Sequence, residues 1–221
     1  MTSAPTITLR GYQEEAKLAV RAAMATHASV LLVAPTGAGK TVLFSDIANT
    51  AASRGFRVLI LAHRDTLIKQ ASRKLNEYGV QHGIIMSGFT PHLALRVQVA
   101  SVQTLVRRLD KLTRAFDLVI IDEAHLSAAA SYRKIVDHLR GLNPGMKLLG
   151  VTGSPCRLDG KGLGVDAGGM YEVMVEAPNT GRMIDMGYLT RPVVFAAEKL
   201  VDLSGVKKIG GDYDKAALAD V

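Results

Sequence analysis

Tryptophan is absent from the 221 residues, cysteine occurs once, and aromatic residues make up only 5%. A lone Cys156 rules out an internal disulfide and any metal cluster built from several cysteines, and it suits a reducing compartment. No run approaches the roughly 18 consecutive apolar residues that would span a membrane. The opening MTSAPTITLR lacks the charged-then-apolar order of a secretory signal. A soluble cytoplasmic protein is therefore expected, without a membrane partner and compatible with a nucleoid or a phage-infected cytoplasm. Acidic residues are also short in number, 20 against 27 Lys plus Arg, for a formal net charge of +7. That excess favours an anionic partner, and nucleic acid is the commonest large one. What the chain does have is 48% hydrophobic residues, enough to bury one core or one and a half and to make disorder an unlikely default.

Four short runs, VLLV (30–33), VLIL (58–61), LVII (118–121) and LLGV (148–151), are apolar without alternation. Such runs suit strands covered on both faces, as in parallel sheets. Between them lie residues at helical spacing: Leu67, Ala71, Leu75 and Tyr78, then Tyr132, Ile135, Val136 and Leu139. Alternating strands and helices predict an α/β fold with right-handed crossovers and a ligand crevice beyond the carboxyl ends of the strands. The glycine-rich stretch from Gly153 to Gly169 reads as a long mobile loop. After it, YEVMVEA alternates like a strand, TGRMIDMGYL suits a short helix, and RPVVFAAE suits a further strand. A domain over 1–200 is expected, followed by a polar tail over 201–221 with too few apolar residues for a second core.

The chemistry gathers at the ends of those strands. Gly37 and Gly39 let the backbone turn its amides toward phosphate oxygens at the start of a helix, and Lys40 adds a point charge. Thr41 offers a hydroxyl to Mg²⁺, which takes few protein ligands. At the end of LVII, Asp122 is suited to hold Mg²⁺, through water, and Glu123 to orient and deprotonate an attacking water. A basic group, Arg107, Arg108, Lys111 and Arg114, reads more simply as a solvated face than as a groove.

Taken together, A-x-T-G-x-G-K-T at 34–41, D-E-A-H at 122–125 and T-G-S-P at 152–155 resemble motifs I, II and III of superfamily 2 helicases. LRGYQ (9–13) is similar to the Q-motif region, LAHRDTLIKQ (61–70) to motif Ia, and ASVQTL (100–105) to the segment that follows it. GYLTRP (187–192) resembles the end of the first domain in the branch holding RadD-like and UvsW-like DNA helicases and type III restriction helicase subunits. The resemblance implies a RecA-like P-loop fold of three layers with a mostly parallel central sheet, first helicase domain only. It implies ATP and Mg²⁺ as cofactors, with Thr36, Gly37, Ala38, Gly39, Lys40 and Thr41 around the phosphates and Gln13 reading the adenine edge. Arg10 and Tyr12 would pack near the base, although Tyr12 equally suits a core position. His63, Arg64, Gln103 and Thr104 would contact a nucleic-acid backbone, DNA sooner than RNA. His125, Thr152 and Ser154 would relay hydrolysis to domain motion, and Arg157 would either pin its loop to an acid or touch DNA.

One departure is T-G-S-P in place of the commoner S/T-A-T-P, with Gly153 at the position of the alanine. A second departure weighs more: no Q-x-x-G-R-x-x-R pattern, from which a second RecA-like domain supplies arginines, occurs in this sequence. An arginine of that kind contributes about 10³ to 10⁵ in rate. A helicase or translocase half that turns ATP over poorly by itself is expected. Alternatives are a nucleotide-gated binding module and the motor part of a restriction-type complex. An ABC-type ATPase would carry LSGGQ, which is absent, and a small-molecule kinase would need neither DEAH nor AHR.

Overall fold

A computed structural model describes residues 8–157 and 160–193, together with the backbone of 208–209 and 212–213. The chain divides into two compact units, 1–189 and 190–221. In the first, helix α1 (Gly11–Thr26) leads into strand β1 (Ser29–Val33), and α2 (Lys40–Ser53) into β2 (Val58–Ala62). Then come α3 (Asp65–Glu77), β3 (His82–Ile85), β4 (Val97–Ser101), the single turn α4 (Val102–Leu105), β5 (Leu118–Asp122), α5 (Ala130–Leu142), β6 (Lys147–Thr152), β7 (Val173–Glu176) and α6 (Thr180–Asp185). The second unit carries a small antiparallel pair, β8 (Lys208–Ile209) and β9 (Asp212–Tyr213). The expected strand in RPVVFAAE lies mostly outside the described residues.

β1 to β7 form one sheet in the order β3-β4-β2-β5-β6-β1-β7, parallel at every pairing. The four apolar runs are β1, β2, β5 and β6, and their lack of alternation has a direct cause. Val30, Leu32, Val58 and Ile60 point into one core with Val20, Phe44 and Ile68 of α1 to α3. Their neighbours Leu31, Leu59 and Leu61 point into the other, with Tyr132, Ile135 and Leu139 of α5. Successive side chains of a strand face opposite sides, so a sheet with two buried faces needs apolar residues at every position. β7 pairs only with β1 and alternates, Val173 and Val175 half-buried, Met174 and Glu176 exposed.

The glycine-rich stretch is more structured than its composition suggests. Residues 160–171 fold onto the sheet, with Leu163, Met170 and Tyr171 buried and a 3₁₀ turn at Val165–Ala167. Arg157 donates to the carbonyl of Ala167 at 2.7 Å, and Arg133 of α5 donates to that of Gly168. Arg157 therefore holds its own loop through at least this backbone bond. A Cβ on Gly150 of β6 would lie 2.4 Å from the Tyr171 ring, so glycine in that strand makes room for the folded loop.

Because all seven strands run the same way, their carboxyl ends share one edge. Along it the motifs fall into two neighbouring groups. β5, β6 and β1 deliver Asp122, Thr152 and the loop after Val33, while β4 and β2 deliver Ser101 and the stretch after Ala62.

Candidate nucleotide site and basic cleft

The loop between β1 and α2 turns on two left-handed glycines, Gly37 at φ 84° and Gly39 at φ 71°. Each is required twice over. A Cβ on Gly37 would lie 2.8 Å from Leu189 Cδ2, and one on Gly39 would lie 2.6 Å from Gln13 Nε2. Lys40 Nζ lies back along the loop toward the carbonyls of Ala34, 3.3 Å away, and Pro35, 3.5 Å away. Gly153 of the T-G-S-P segment abuts the same place: a Cβ there would stand 3.4 Å from Lys40 Nζ and 3.7 Å from Thr36 Oγ1. Motifs I and III thus touch, and the space would admit an alanine.

Helix α1 is strapped to the loop. The Tyr12 hydroxyl donates to Ala38 O at 2.9 Å, and Gln13 Nε2 donates to the same carbonyl at 3.0 Å. Gln13 Oε1 accepts from the Arg10 amide at 2.9 Å. The buried Gln13 amide therefore already spends a hydrogen and a lone pair on backbone, and whatever it offers a base is the remainder. Tyr12 is a core residue that touches the loop: it is buried with Ala34, Ala38 and Met183. Its ring meets that of Tyr188 edge-on at 4.8 Å, and the Arg10 guanidinium sits 5.2 Å above Tyr188. Tyr188 and Leu189 were visible in the sequence only as part of a resemblance, and the structure brings both onto the phosphate loop's flank.

Asp122 ends β5 almost fully buried. Burial first, then the Glu123 charge, push its carboxyl up to about 6, against the opposing pull of the bond it accepts from the Glu123 amide and of the Lys40 charge. A carboxylate held so dry, with one backbone donor at 3.0 Å, fits a cation. Among the described residues no group of three or more His, Cys, Asp or Glu could hold a metal by itself. Thr41, at the start of α2, accepts only a long contact of 3.4 Å from Gln70.

Glu123 is the one non-glycine residue among those described with positive φ, at φ 54° and ψ 55°. Left-handed backbone at a residue with a Cβ stores about 1–2 kcal/mol, here at the proposed base. Its carboxylate approaches His125 Nδ1 at 3.3 Å, and the same nitrogen lies 3.1 Å from Thr152 Oγ1. The Thr152 hydroxyl donates to Ser154 O at 3.0 Å and accepts from Ser154 N at 3.1 Å. With the hydroxyl proton committed, His125 Nδ1 must be the donor, shared between Glu123 and Thr152. Glu123, His125, Thr152 and Ser154 form one continuous chain.

Tyr132 carries no motif, yet its buried hydroxyl has no hydrogen-bond partner among the described residues. Burial, then the charges of Asp122 and Glu123, push that hydroxyl up to about 12. In the sequence it reads only as a helix-face residue.

The second group of motifs lines a cleft of about 510 Å³, formed by His63, Arg64, Gln103, Thr104, Arg107 and Arg108 with the carboxylate Asp65. Gln103 Nε2 donates to His63 Nδ1 at 2.9 Å, and Gln103 Oε1 accepts from Ser101 Oγ at 2.9 Å. The His63 proton is thereby assigned to Nε2. Thr104 N donates to Ser101 Oγ at 3.4 Å, which caps the start of α4. Arg107, which is exposed, and the half-buried Arg108 keep the solvated character expected of them and also line this cleft with His63 and Arg64.

Comparison with known proteins places this geometry in a class: the chain is a first RecA-like, ATP-binding domain of superfamily 2 helicase type. Residues 6–157 match the model of the type III restriction enzyme res subunit, and the chain belongs to that family. It is 32% identical over 206 residues to a protein of Saccharomyces cerevisiae named as ATP-dependent helicase IRC3, covering 84% of this chain and 28% of that one. A 51.5 kDa protein of a Lactococcus phage is 30% identical over 190 residues, with 86% and 37% covered. The chain thus spans about a third of the length of these curated relatives. Among solved structures, the UvsW helicase of bacteriophage T4 superposes with a TM-score of 0.62 at 22% identity, covering 77% of this chain and 60% of that one. The type ISP restriction-modification enzyme LlaGI, solved with a DNA substrate mimic, gives 0.64 at 18%, with 82% and 21% covered.

Proposed function

We propose that this chain is the ATP-binding half of an ATP-dependent DNA helicase or translocase, slow in turnover until a second RecA-like domain completes its site. The observation that carries the reading is the unbroken contact from Glu123 through His125 and Thr152 to Ser154. It joins the residue suited to activate water to the loop that would face a second domain. Gly37, Ala38, Gly39 and Lys40 would cradle the phosphates, with the amides at the start of α2 turned toward them. Thr41 and Asp122 would hold Mg²⁺, which supplies charge neutralisation across the phosphates. Glu123 would orient the attacking water and take its proton. Arg10, Tyr12, Gln13 and Tyr188 supply the residues for a base site beside the loop. DNA is preferred over RNA because LlaGI was solved with a DNA substrate mimic, and phosphate contacts would come from His63, Arg64, Gln103 and Thr104.

ATPase measurement tests this directly. The chain alone should bind nucleotide but hydrolyse it slowly, and a longer chain carrying a second RecA-like domain should hydrolyse it at least 100-fold faster in DNA. Lys40→Ala or Glu123→Gln in that longer chain should abolish turnover. Unchanged turnover would sink the site, and a two-domain chain without ATPase activity would favour a nucleotide-gated binding module.

A further inference from the structure

Beside the basic cleft lies a second cavity, of about 340 Å³, that no motif predicts. Its walls are apolar, Ile85, Pro91, Leu93, Leu105 and Leu112, and its cations are Arg108 and Lys111. Arg108 lines both cavities and forms their shared wall. The size lies in the lower part of the roughly 300–1,000 Å³ range of ligand pockets, and an apolar lining with a few placed polar groups is their usual composition.

The pocket is held open by structure deeper in the fold. Gln98 of β4 is fully buried and donates to the carbonyls of His92 and Leu95, both at 2.9 Å. Arg57 donates to the carbonyl of Leu93 at 3.2 Å and to that of Ala115 at 3.1 Å. Three carbonyls of the β3–β4 connection are thus fixed from the interior, and Ile85, Leu105 and Leu112 are themselves buried. A loop tied down this way presents a preformed wall, which lowers the ordering cost of binding.

A polyanion with flat apolar side groups matches this pair of cavities, phosphates in one and a base in the other. Resting on the DNA-binding reading above, we propose that a single strand whose phosphates follow Arg64, Arg107 and Arg108 turns one nucleobase into the pocket between Leu93 and Leu112. The pocket bounds the base with aliphatic walls and a guanidinium, a surface that accepts any base by its face and reads little of its sequence. Lys111 at the rim would neutralise the next phosphate.

The test is an abasic walk. Binding of the full chain to a single-stranded DNA oligonucleotide, followed by fluorescence anisotropy at about 50 mM salt, is compared for oligonucleotides abasic at one position each. One register should weaken about 10-fold or more on losing its base, while the other positions change little. Leu93→Trp, and separately Pro91→Trp at the exposed rim, should remove that sensitivity with melting temperature and nucleotide binding intact. Arg107→Ala should weaken intact and abasic oligonucleotides equally and reduce the salt slope by about 1. Equal tolerance of abasic sites everywhere, or Trp variants that keep the sensitive position, would overturn the pocket while leaving the phosphate contacts standing. If the wild-type chain binds no oligonucleotide, both the pocket and the DNA reading fall. An RNA strand of the same sequence shows whether the base or the sugar is selected.

Discussion

At the scale of single residues, the site holds groups that the fold would be more stable without. Asp122 is the clearest case. Burial lifts it to about 6 from an unfolded value near about 4. Between those values the folded chain keeps a proton that the unfolded chain has released, so its contribution to stability falls as pH rises through that window. Asp122→Asn should therefore raise the melting temperature of the metal-free chain at pH 7.5, by roughly 1–3 kcal/mol in stability, and should leave it nearly unchanged at about pH 4; thermal melts in a chelator at both pH values read this. The same variant should lose Mg²⁺-dependent nucleotide binding. Gly39 shows the converse. At φ 71°, with Gln13 Nε2 2.6 Å from a would-be Cβ, Gly39→Ala must both strain the loop and displace the strap from α1. A loss of about 1–2 kcal/mol in denaturant unfolding, with weakened nucleotide binding, is expected; an unperturbed Gly39→Ala would mean the loop is looser than its hydrogen bonds indicate.

Elements decide what connects to what, and here sequence reading reached unevenly. β1, β2, β5 and β6 were legible because doubly buried strands leave continuous apolar runs, and motif residues at their ends were legible because phosphate chemistry requires glycine, lysine and paired acids. β3 was not, since the four residues HGII carry too short a signal and one half-buried face. The fold of 160–171 was hidden because glycine looks like freedom in a sequence, while here Gly150 and Gly169 serve close approach. A Cβ on Gly169 would lie 1.8 Å from Leu163 O. That Arg107 and Arg108 line one cleft with His63 and Arg64 is visible only in the folded chain. The hydrogen-bonded chain of His125, Thr152 and Ser154 also lives at this scale. Thr152→Ala removes the acceptor of His125 and the donor to Ser154 O together. In a chain with both RecA-like domains it should leave nucleotide affinity within about 2-fold and lower DNA-stimulated turnover at least about 10-fold. Equal loss in both quantities would make Thr152 a binding residue and not a coupling one.

For the whole molecule, the order of strands keeps two groups of residues apart yet adjacent: those proposed to hold nucleotide sit on β5, β6 and β1, and the basic cleft on β4 and β2, with β2 hydrogen-bonded to β5. A ligand that binds the folded chain alone stabilises it by about 2.7 kcal/mol at 100 times its Kd. ATP analogue and oligonucleotide should each raise the melting temperature, and Lys40→Ala should cancel only the first shift. One contact carries a mechanical implication. Leu189, the last residue of the first compact unit, rests against Gly37. Tension applied to the chain at Thr190 would reach the Gly37 turn after a single residue.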